Sequence, residues 1–289
     1  MSIEELSRIR SNSYSEEIIG LQKHGEVYYI SKKWKDIERG KKSIRKQIDF
    51  MDIKTGGIII RSPKVISTKK SKDGKYEAIM EYIHGHSGPE IAFNGNRDRS
   101  MSLKEALSLI LCRNLENSMI QEIPNKLLLA KVDEILAKEN TNNEVREMIF
   151  ALRKIIEKQI SFKIPTGPCH GDLTFSNIII SETGSINLID FIPSFIESPL
   201  WDIVKIYQDL KYGWSYRKES GALKVSAKIF FESCMPNLMN FFEQTWKYEI
   251  LIFDLLNLIR LAPYIKDGET LEWLNFNLRN SLANLKAHY

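Results

Sequence analysis

Cysteine is scarce in this chain of 289 residues. The three present, Cys112, Cys169 and Cys234, are odd in number and show no Cys-x-x-Cys spacing. That argues against a disulfide framework or a thiolate metal site and predicts a reduced, cytoplasmic protein. Long apolar runs are missing as well. The longest candidate, from Ile250 to Leu261, is broken by Asp254, Asn257 and Arg260, so no membrane span is expected. The opening Met1-Ser-Ile-Glu-Glu5 is acidic and leads into no apolar block, which predicts no secretory leader. No internal repeat and no low-complexity tract stands out. Nor does one sign of charge dominate, since 41 Lys/Arg against 37 Asp/Glu leave +4.

What is present is ordinary for a globular protein. Hydrophobic residues make up 43% and charged residues 27%, with length enough for one large domain or two lobes. The positive charge is concentrated. Residues 1–85 carry 18 Lys/Arg and 12 Asp/Glu, a net of +6, which leaves the remainder at −2. A basic third can signal nucleic acid, but no interleaved aromatics and no nucleic-acid module accompany it. It reads instead as a solvated surface that attracts a polyphosphate.

The first third has the alternation of a small twisted sheet. Glu17 to Gln22 and Glu26 to Lys33 flank a turn at Gly25. A helix-compatible stretch runs from Asp36 to about Ile53, with Gly56-Gly57 expected to end it. Val65 to Thr68 and Tyr76 to Tyr82 read as two more strands, and Gly85-His-Ser-Gly88-Pro as a linker. Beyond it the period turns helical. Ser102-x-x-Glu105 reads as a capping box opening a helix with Leu103, Leu107, Ile110 and Leu111 on one face. Val145, Ile149, Leu152 and Ile156 stripe another, which ends before Pro165, and the chain after Pro199 is again mainly helical.

Between these helical stretches lies Pro168-Cys-His-Gly-Asp-Leu-Thr-Phe-Ser-Asn177, followed by Leu188-Ile-Asp-Phe191. Asn177-Ile-Ile-Ile-Ser181 and Ile186-Asn-Leu-Ile-Asp190 are apolar runs around Glu182-Thr-Gly184-Ser. That is a hairpin signal, and it brings Asn177 and Asp190 to one open end. Taken singly, Asp172 is explained by a turn and Asn177 by an unusual backbone angle. Together they supply what phosphoryl transfer to a hydroxyl requires. One carboxylate takes the acceptor proton, and a second, with an amide oxygen, holds Mg²⁺ against the phosphates.

The constellation resembles the kinase-like phosphotransferases, and within them the aminoglycoside phosphotransferase and choline kinase branch. That branch has glycine where protein kinases have arginine after the histidine; here the residue is Gly171. The resemblance implies a two-lobed, protein-kinase-like α+β fold. A small antiparallel-sheet N-lobe would cover residues 1–84, and a larger, mainly helical C-lobe residues 85–289. It implies Asp172 as catalytic base, His170 as the residue that orients its loop, and Asn177 and Asp190 as metal ligands. Asp202 would brace the loop, or serve locally as a first-turn helix acid. ATP with Mg²⁺ is the implied cofactor set, GTP remaining open. The implied partner is a small-molecule hydroxyl acceptor, with no nucleic acid and no membrane.

The family also implies a phosphate lysine on the third strand. Lys32 shares a strand face with Ile30, and Lys33 with Ser31. Lys32 is preferred, because an apolar residue against adenine and a lysine toward phosphate would share a face; Lys33 is the alternative. The loop over the phosphates falls at Ser11, Asn12 and Ser13 and contains no glycine. The adenine hinge falls at Met80, Glu81, Tyr82 and Ile83. Gln47 stands where the family places a glutamate to pair with the lysine, with Glu38 as the other candidate.

On the acceptor side, Trp201-Asp202 follows Asp190 by only eleven residues without an Ala-Pro-Glu anchor, which argues against a protein substrate. Tyr207, Asp209, Tyr212, Trp214, Tyr216, Trp246, Asp254 and Trp273 suit a sugar ring or a quaternary ammonium, although most are expected in packing. The weakly acidic helical part favours a neutral sugar or amino alcohol over a polycationic aminoglycoside. Ser198-Pro-Leu-Trp-Asp-Ile-Val-Lys205, with Gln208-Asp209 and Trp214-Ser215, is similar to phosphotransferases of bacterial surface-polysaccharide synthesis. The rival reading is a catalytically silent nucleotide-binding protein of the same fold, suggested by Gln47 and the glycine-less loop.

Overall fold

The computed structural model describes residues 4–9, 17–71, 73–94, 97–138 and 142–288. It opens with strands β1 (Glu4–Ile9), β2 (Ile18–His24) and β3 (Val27–Trp34). β2 and β3 pair across the turn at Gly25, with Ile19 opposite Lys32 and Gly20 opposite Ser31. Helix α1 (Ile37–Asp49) starts at Asp36, whose carboxylate accepts the Arg39 N–H at 3.0 Å. Its buried residues, Gly40, Ser43, Ile44 and Gln47, recur every three or four positions and so form one stripe. Ile44 meets Trp34, Ala78 and Met80 in the local core. Burying a side chain of that size contributes about 1.5–3 kcal/mol.

The helix stops at Phe50, earlier than the sequence pattern predicts. Gly56-Gly57 does not end it; these residues turn β4 (Ile53–Thr55) into β5 (Ile58–Arg61). Strands of three and four residues are too short to show a period of two, so the pattern carries no trace of this hairpin. β6 (Val65–Lys70) and β7 (Tyr76–Glu81) complete an antiparallel sheet in the order β1-β2-β3-β7-β6. Where the sequence predicts a linker, the chain forms strand β8 (Gly85–Ser87).

Past β8 come α2 (Gly88–Phe93), α3 (Arg97–Glu116), β9 (Met119–Pro124), α4 (Asn125–Leu136), α5 (Asn143–Glu157) and β10 (Ser161–Thr166). β10 pairs antiparallel with β9. α3 begins before Ser102, so the expected capping box lies inside it and the Ser102 hydroxyl donates back to the Asp98 carbonyl at 3.0 Å. The predicted apolar faces are buried: Leu103, Leu107, Ile110 and Leu111 on α3, and Val145, Ile149, Leu152 and Ile156 on α5. β11 (Ile178–Ser181) and β12 (Ile186–Leu188) form the expected hairpin. Helices α6 (Pro199–Leu210), α7 (Gly221–Ser233), α8 (Met239–Thr245), α9 (Lys247–Ile259) and α10 (Gly268–Ala287) close the chain. Among the described residues, no helix is long and apolar enough to cross a membrane.

The chain resolves into two compact units, Met1–Gly88 with Ser176–Pro193, and Pro89–Phe175 with Ser194–Tyr289. The β11–β12 hairpin falls in the first because β12 pairs in parallel with β5 and β11 pairs with β8. That gives a second sheet in the order β4-β5-β12-β11-β8. In the second unit, α6 is buried along its whole length, with Pro199 at its first turn and the Ser198 hydroxyl accepting the Leu200 N–H at 3.2 Å. It packs on α9, which is buried from Ile250 to Ile259.

Candidate active site

In the first unit, Lys32 lies on β3 with 5% of its surface exposed. Its Nζ pairs with the Glu17 carboxylate at 2.5 Å and with the Asp190 carboxylate. Burial alone would lower its pKa, but Asp190 and then Glu17 outweigh that effect and hold the ammonium above its usual value. Lys33, one position on, faces the other side of the strand and stands 3.8 Å from Glu77. Neither residue that the sequence offers as partner for Lys32 reaches it. Gln47 is buried on α1 and donates to the Pro63 carbonyl at 2.7 Å, whereas Glu38 is exposed and pairs with Lys41 at 2.8 Å. Glu17 takes that place, and no motif in the sequence marks it.

Asp190 sits at the open end of the hairpin with Asn177. The Ile189 N–H donates to the Asn177 carbonyl at 3.0 Å, so backbone pairing extends past the strands to these residues. Asp190 is, among the described residues, the one non-glycine in the left-handed region, at φ 67°. Such backbone strain gathers at functional positions. The segment after it is fastened by α1, where Lys46 donates to the Ile192 carbonyl at 2.8 Å and Phe50 packs on Phe191 with ring centres 5.5 Å apart.

One amide oxygen and one carboxylate make a donor set that suits Mg²⁺, which takes few protein oxygens and completes its shell with phosphate and water. Among the described residues, no cluster of three His, Cys, Asp or Glu could hold a metal unaided. Of the hinge residues, Met80 is in the local core and Ile83 is buried. Glu81 takes a two-point pair from Arg61 at 2.9 and 2.8 Å, and Tyr82 meets His84 edge-on at 4.7 Å. Ser11, Asn12 and Ser13 lie outside the described residues.

In the second unit, β10 feeds the loop of His170, Gly171 and Asp172. Gly171 has φ 89°, a conformation that costs any residue with a Cβ, which accounts for glycine at this position. Asp202, in the first turn of α6, is fully buried. It accepts the His170 N–H at 2.7 Å on one oxygen and the Gly171 N–H at 2.9 Å on the other. Asn114 on α3 adds a third donor at 3.3 Å, and the Trp201 indole N–H reaches the Gly171 carbonyl at 3.1 Å. His170 is buried, and its Nδ1 accepts the Asp172 N–H at 3.2 Å, so the imidazole shapes the turn. Two turns along α6, Asp209 accepts the Phe175 and Ser215 N–H groups at 3.3 and 2.9 Å.

The Asp172 side chain stays 28% exposed, with Oδ1 2.8 Å from Lys205 Nζ and 3.7 Å from Arg260 Nη2. Burial would raise this carboxyl's pKa, but Lys205 and then Arg260 outweigh it and hold it well below the usual carboxylate range. Lys205 is pushed down to about 7: burial leads, repulsion from Arg260 adds to it, and Asp172 offsets part of both. The sequence pattern singles out neither cation as a neighbour of Asp172. One signal does exist, since Asp202, Lys205 and Asp209 recur at helical spacing on one face of α6.

The aromatic cluster is mostly packing, as the sequence predicts for most of it. Tyr212 bonds Asp254 and meets the Ser281 hydroxyl, Tyr216 stacks on Phe231, and Trp246 packs on Phe242. Trp214 lies between Trp273, at 5.2 Å, and the Arg217 guanidinium, at 3.7 Å.

No protein-family model and no curated protein sequence matches the chain. Solved structures do. A thermostable mutant of aminoglycoside phosphotransferase APH(4)-Ia in its apo form is similar at a TM-score of 0.62 and 12% identity, over 98% of this chain and 94% of that one. A ternary complex of another mutant of that enzyme, with AMP-PNP and hygromycin B, gives 0.60 and 10% over the same shares. Choline kinase LicA from Streptococcus pneumoniae gives a TM-score of 0.55 and 16% identity over 98% of this chain and 94% of that one. The chain has the kinase-like α+β fold of the aminoglycoside phosphotransferase and choline kinase branch.

Proposed function

We propose that this chain, folded like small-molecule phosphotransferases, is itself one. It transfers the γ-phosphoryl group of ATP to a hydroxyl of a small metabolite such as a sugar. The observation that carries this reading is the Lys32–Asp190 pair, which joins a buried lysine to an acid 158 positions away in sequence. Phosphoryl transfer asks for a cation to steady the phosphates and an acid at the metal, and this pair is such a couple. Residues 1–84 are assigned the nucleotide, with Met80 to Ile83 as the adenine hinge, and residues 85–289 the acceptor. Cys112, Cys169 and Cys234, which form no disulfide among the described residues, suit work in a reducing cytoplasm.

In the reaction, Asp172 accepts the proton of the acceptor hydroxyl. The hydroxyl oxygen forms its bond to the γ-phosphorus while the bond from that phosphorus to the β–γ bridging oxygen breaks. ADP and the phosphorylated acceptor leave, and Asp172 returns its proton to solvent. Lys205 and Arg260 favour the ionised carboxylate, which is the form a base needs. Asp202 and Trp201 fix the loop, so the carboxylate need not be reordered during the reaction. Asn177 and Asp190 would hold Mg²⁺, which when bound neutralises phosphate charge.

Turnover of nucleoside triphosphates with a panel of sugars, amino alcohols, aminocyclitols and their acidic derivatives tests this reading. Asp172→Asn is expected to cut turnover by about 10²–10⁴ while nucleotide affinity holds. Lys32→Ala should lower it strongly and Lys33→Ala slightly. Nucleotide-dependent thermal stabilisation without transfer to any acceptor would identify the silent binder instead.

A further inference from the structure

Arg260 is held by neutral partners and, among the described residues, has only a distant, shared carboxylate. It follows the last turn of α9, where its Nε donates to Asn257 Oδ1 at 2.8 Å and its Nη2 to Gln208 Oε1 at 3.2 Å. Both partners are neutral amides that orient the guanidinium and leave its charge intact. Its nearest carboxylate, Asp172, is 3.7 Å away, beyond hydrogen-bond reach, and is already taken by Lys205 at 2.8 Å. Among the described residues, Nη1 has no hydrogen-bond partner, and 29% of the side chain is open to solvent. Arg61, by contrast, meets Glu81 in a two-point pair that matches its charge.

The charges around Asp172 point the same way. Lys205 and Arg260 both face Asp172 there. The buried Asp202, bonded to the His170 and Gly171 N–H groups, also acts on Lys205, whereas Arg260, among the described carboxylates, has only its share of Asp172. Burial is the chief cause of the lowered pKa of Lys205, and repulsion from Arg260 adds to it. An acceptor bearing an ammonium would add a third cation beside these two.

We propose that the acceptor is anionic, a hydroxylated metabolite bearing a carboxylate or phosphate group, and that Arg260 binds that group through Nη1 while Asp172 takes the hydroxyl. The inference rests on Asp172 being the catalytic base. With hydrogen bonds of about 2.8 Å to each group, the hydroxyl and the anion would sit only a few bonds apart, as in a sugar acid, a hydroxy acid or a sugar phosphate. Arg260 selects the acceptor, and Lys205 supports it from behind Asp172.

The test compares matched acceptors with ATP and Mg²⁺: galactose, galactosamine, galacturonate and galactose 6-phosphate, then the corresponding neutral, amino, carboxylated and phosphorylated forms of other polyols. The carboxylate and phosphate arms separate the two possible anions. Phosphorylation should favour an anionic member. Arg260→Gln should lower kcat/KM for it about 10- to 100-fold more than for the neutral analogue, whose own loss reflects only the weaker support of Asp172, with partial rescue by Arg260→Lys. If Arg260→Gln fails to fold, calorimetry of the parent protein with the same four sugars still decides, since only the anionic ones should bind measurably.

A preference for neutral or amino-bearing acceptors overturns the proposal and leaves the kinase reading intact. An equal loss across all acceptors in Arg260→Gln also overturns it, by assigning the cations to the transferred phosphoryl group. Failure of the parent protein to phosphorylate any acceptor, despite nucleotide binding, removes the kinase reading and this inference with it.

Discussion

Replacing Asp202 with asparagine is expected to loosen the loop of Asp172 while leaving the first unit's Lys32 and Asp190 untouched. The carboxylate accepts one backbone N–H on each oxygen, from His170 at 2.7 Å and Gly171 at 2.9 Å. Asparagine keeps one acceptor and turns a donor toward the other N–H. The lost charge-assisted bond costs about 1.5–3 kcal/mol, and the orphaned buried N–H about 1–3 more. A total near 3–5 kcal/mol would lower the melting temperature of a unit this size by about 10 °C. Hydrogen exchange reads the effect locally: a loss of about 3 kcal/mol in opening free energy speeds exchange of the His170 and Gly171 amides roughly hundredfold. The nucleotide-induced thermal shift should persist. Unchanged protection of those two amides in Asp202→Asn would refute the claim that this carboxylate fixes the loop.

Lys205→Met removes the cation closest to Asp172. Cations favour the ionised carboxylate, so the carboxyl's pKa must rise and the acid limb of the kcat/KM profile should move up by about one to three pH units; an unmoved limb counts against the pairing. Asp190→Ala discards a charge where Asn177→Ala discards a dipole, so Mg²⁺ titrations of nucleotide-dependent stabilisation should weaken more in the former, and curves matching the parent would dismiss both ligands. Gly85→Ala would set a Cβ 2.2 Å from the Ile180 carbonyl oxygen. Strain of that kind costs about 1–3 kcal/mol, visible as a lower denaturation midpoint, and an unchanged midpoint would contradict the close pairing of β8 with β11.

The sequence revealed most where its signals are local. The Asn177 to Asp190 hairpin, the Gly25 turn and the strand face of Lys32 follow from spacing, turn residues and a period of two, and the fold preserves all three. Strand β8 escaped because Gly85, His86 and Ser87 carry no alternation, and its partner β11 is far along the chain. The start of α3 escaped because Arg97 to Ser100 are polar and show no apolar period. Lys205 showed only its helical spacing with Asp202 and Asp209, while Glu17 and Arg260 escaped for a different reason. Each matters only through a side-chain contact made in the folded chain, and one sequence has no pattern that encodes it.

The second sheet also sets a timetable for synthesis. Strands β5 and β8 belong to the first 88 residues, yet they pair with β12 and β11, which emerge about 125 and about 90 residues after them. At about 5–20 residues per second, the ribosome leaves the edges without those partners for roughly 5 to 25 seconds. Open edges of this kind invite pairing with other chains. A fragment ending at Gly88 would keep them open indefinitely. The hairpin bearing Asn177 and Asp190 therefore has a second task, as the late-arriving seam that closes the sheet around β5 and β8.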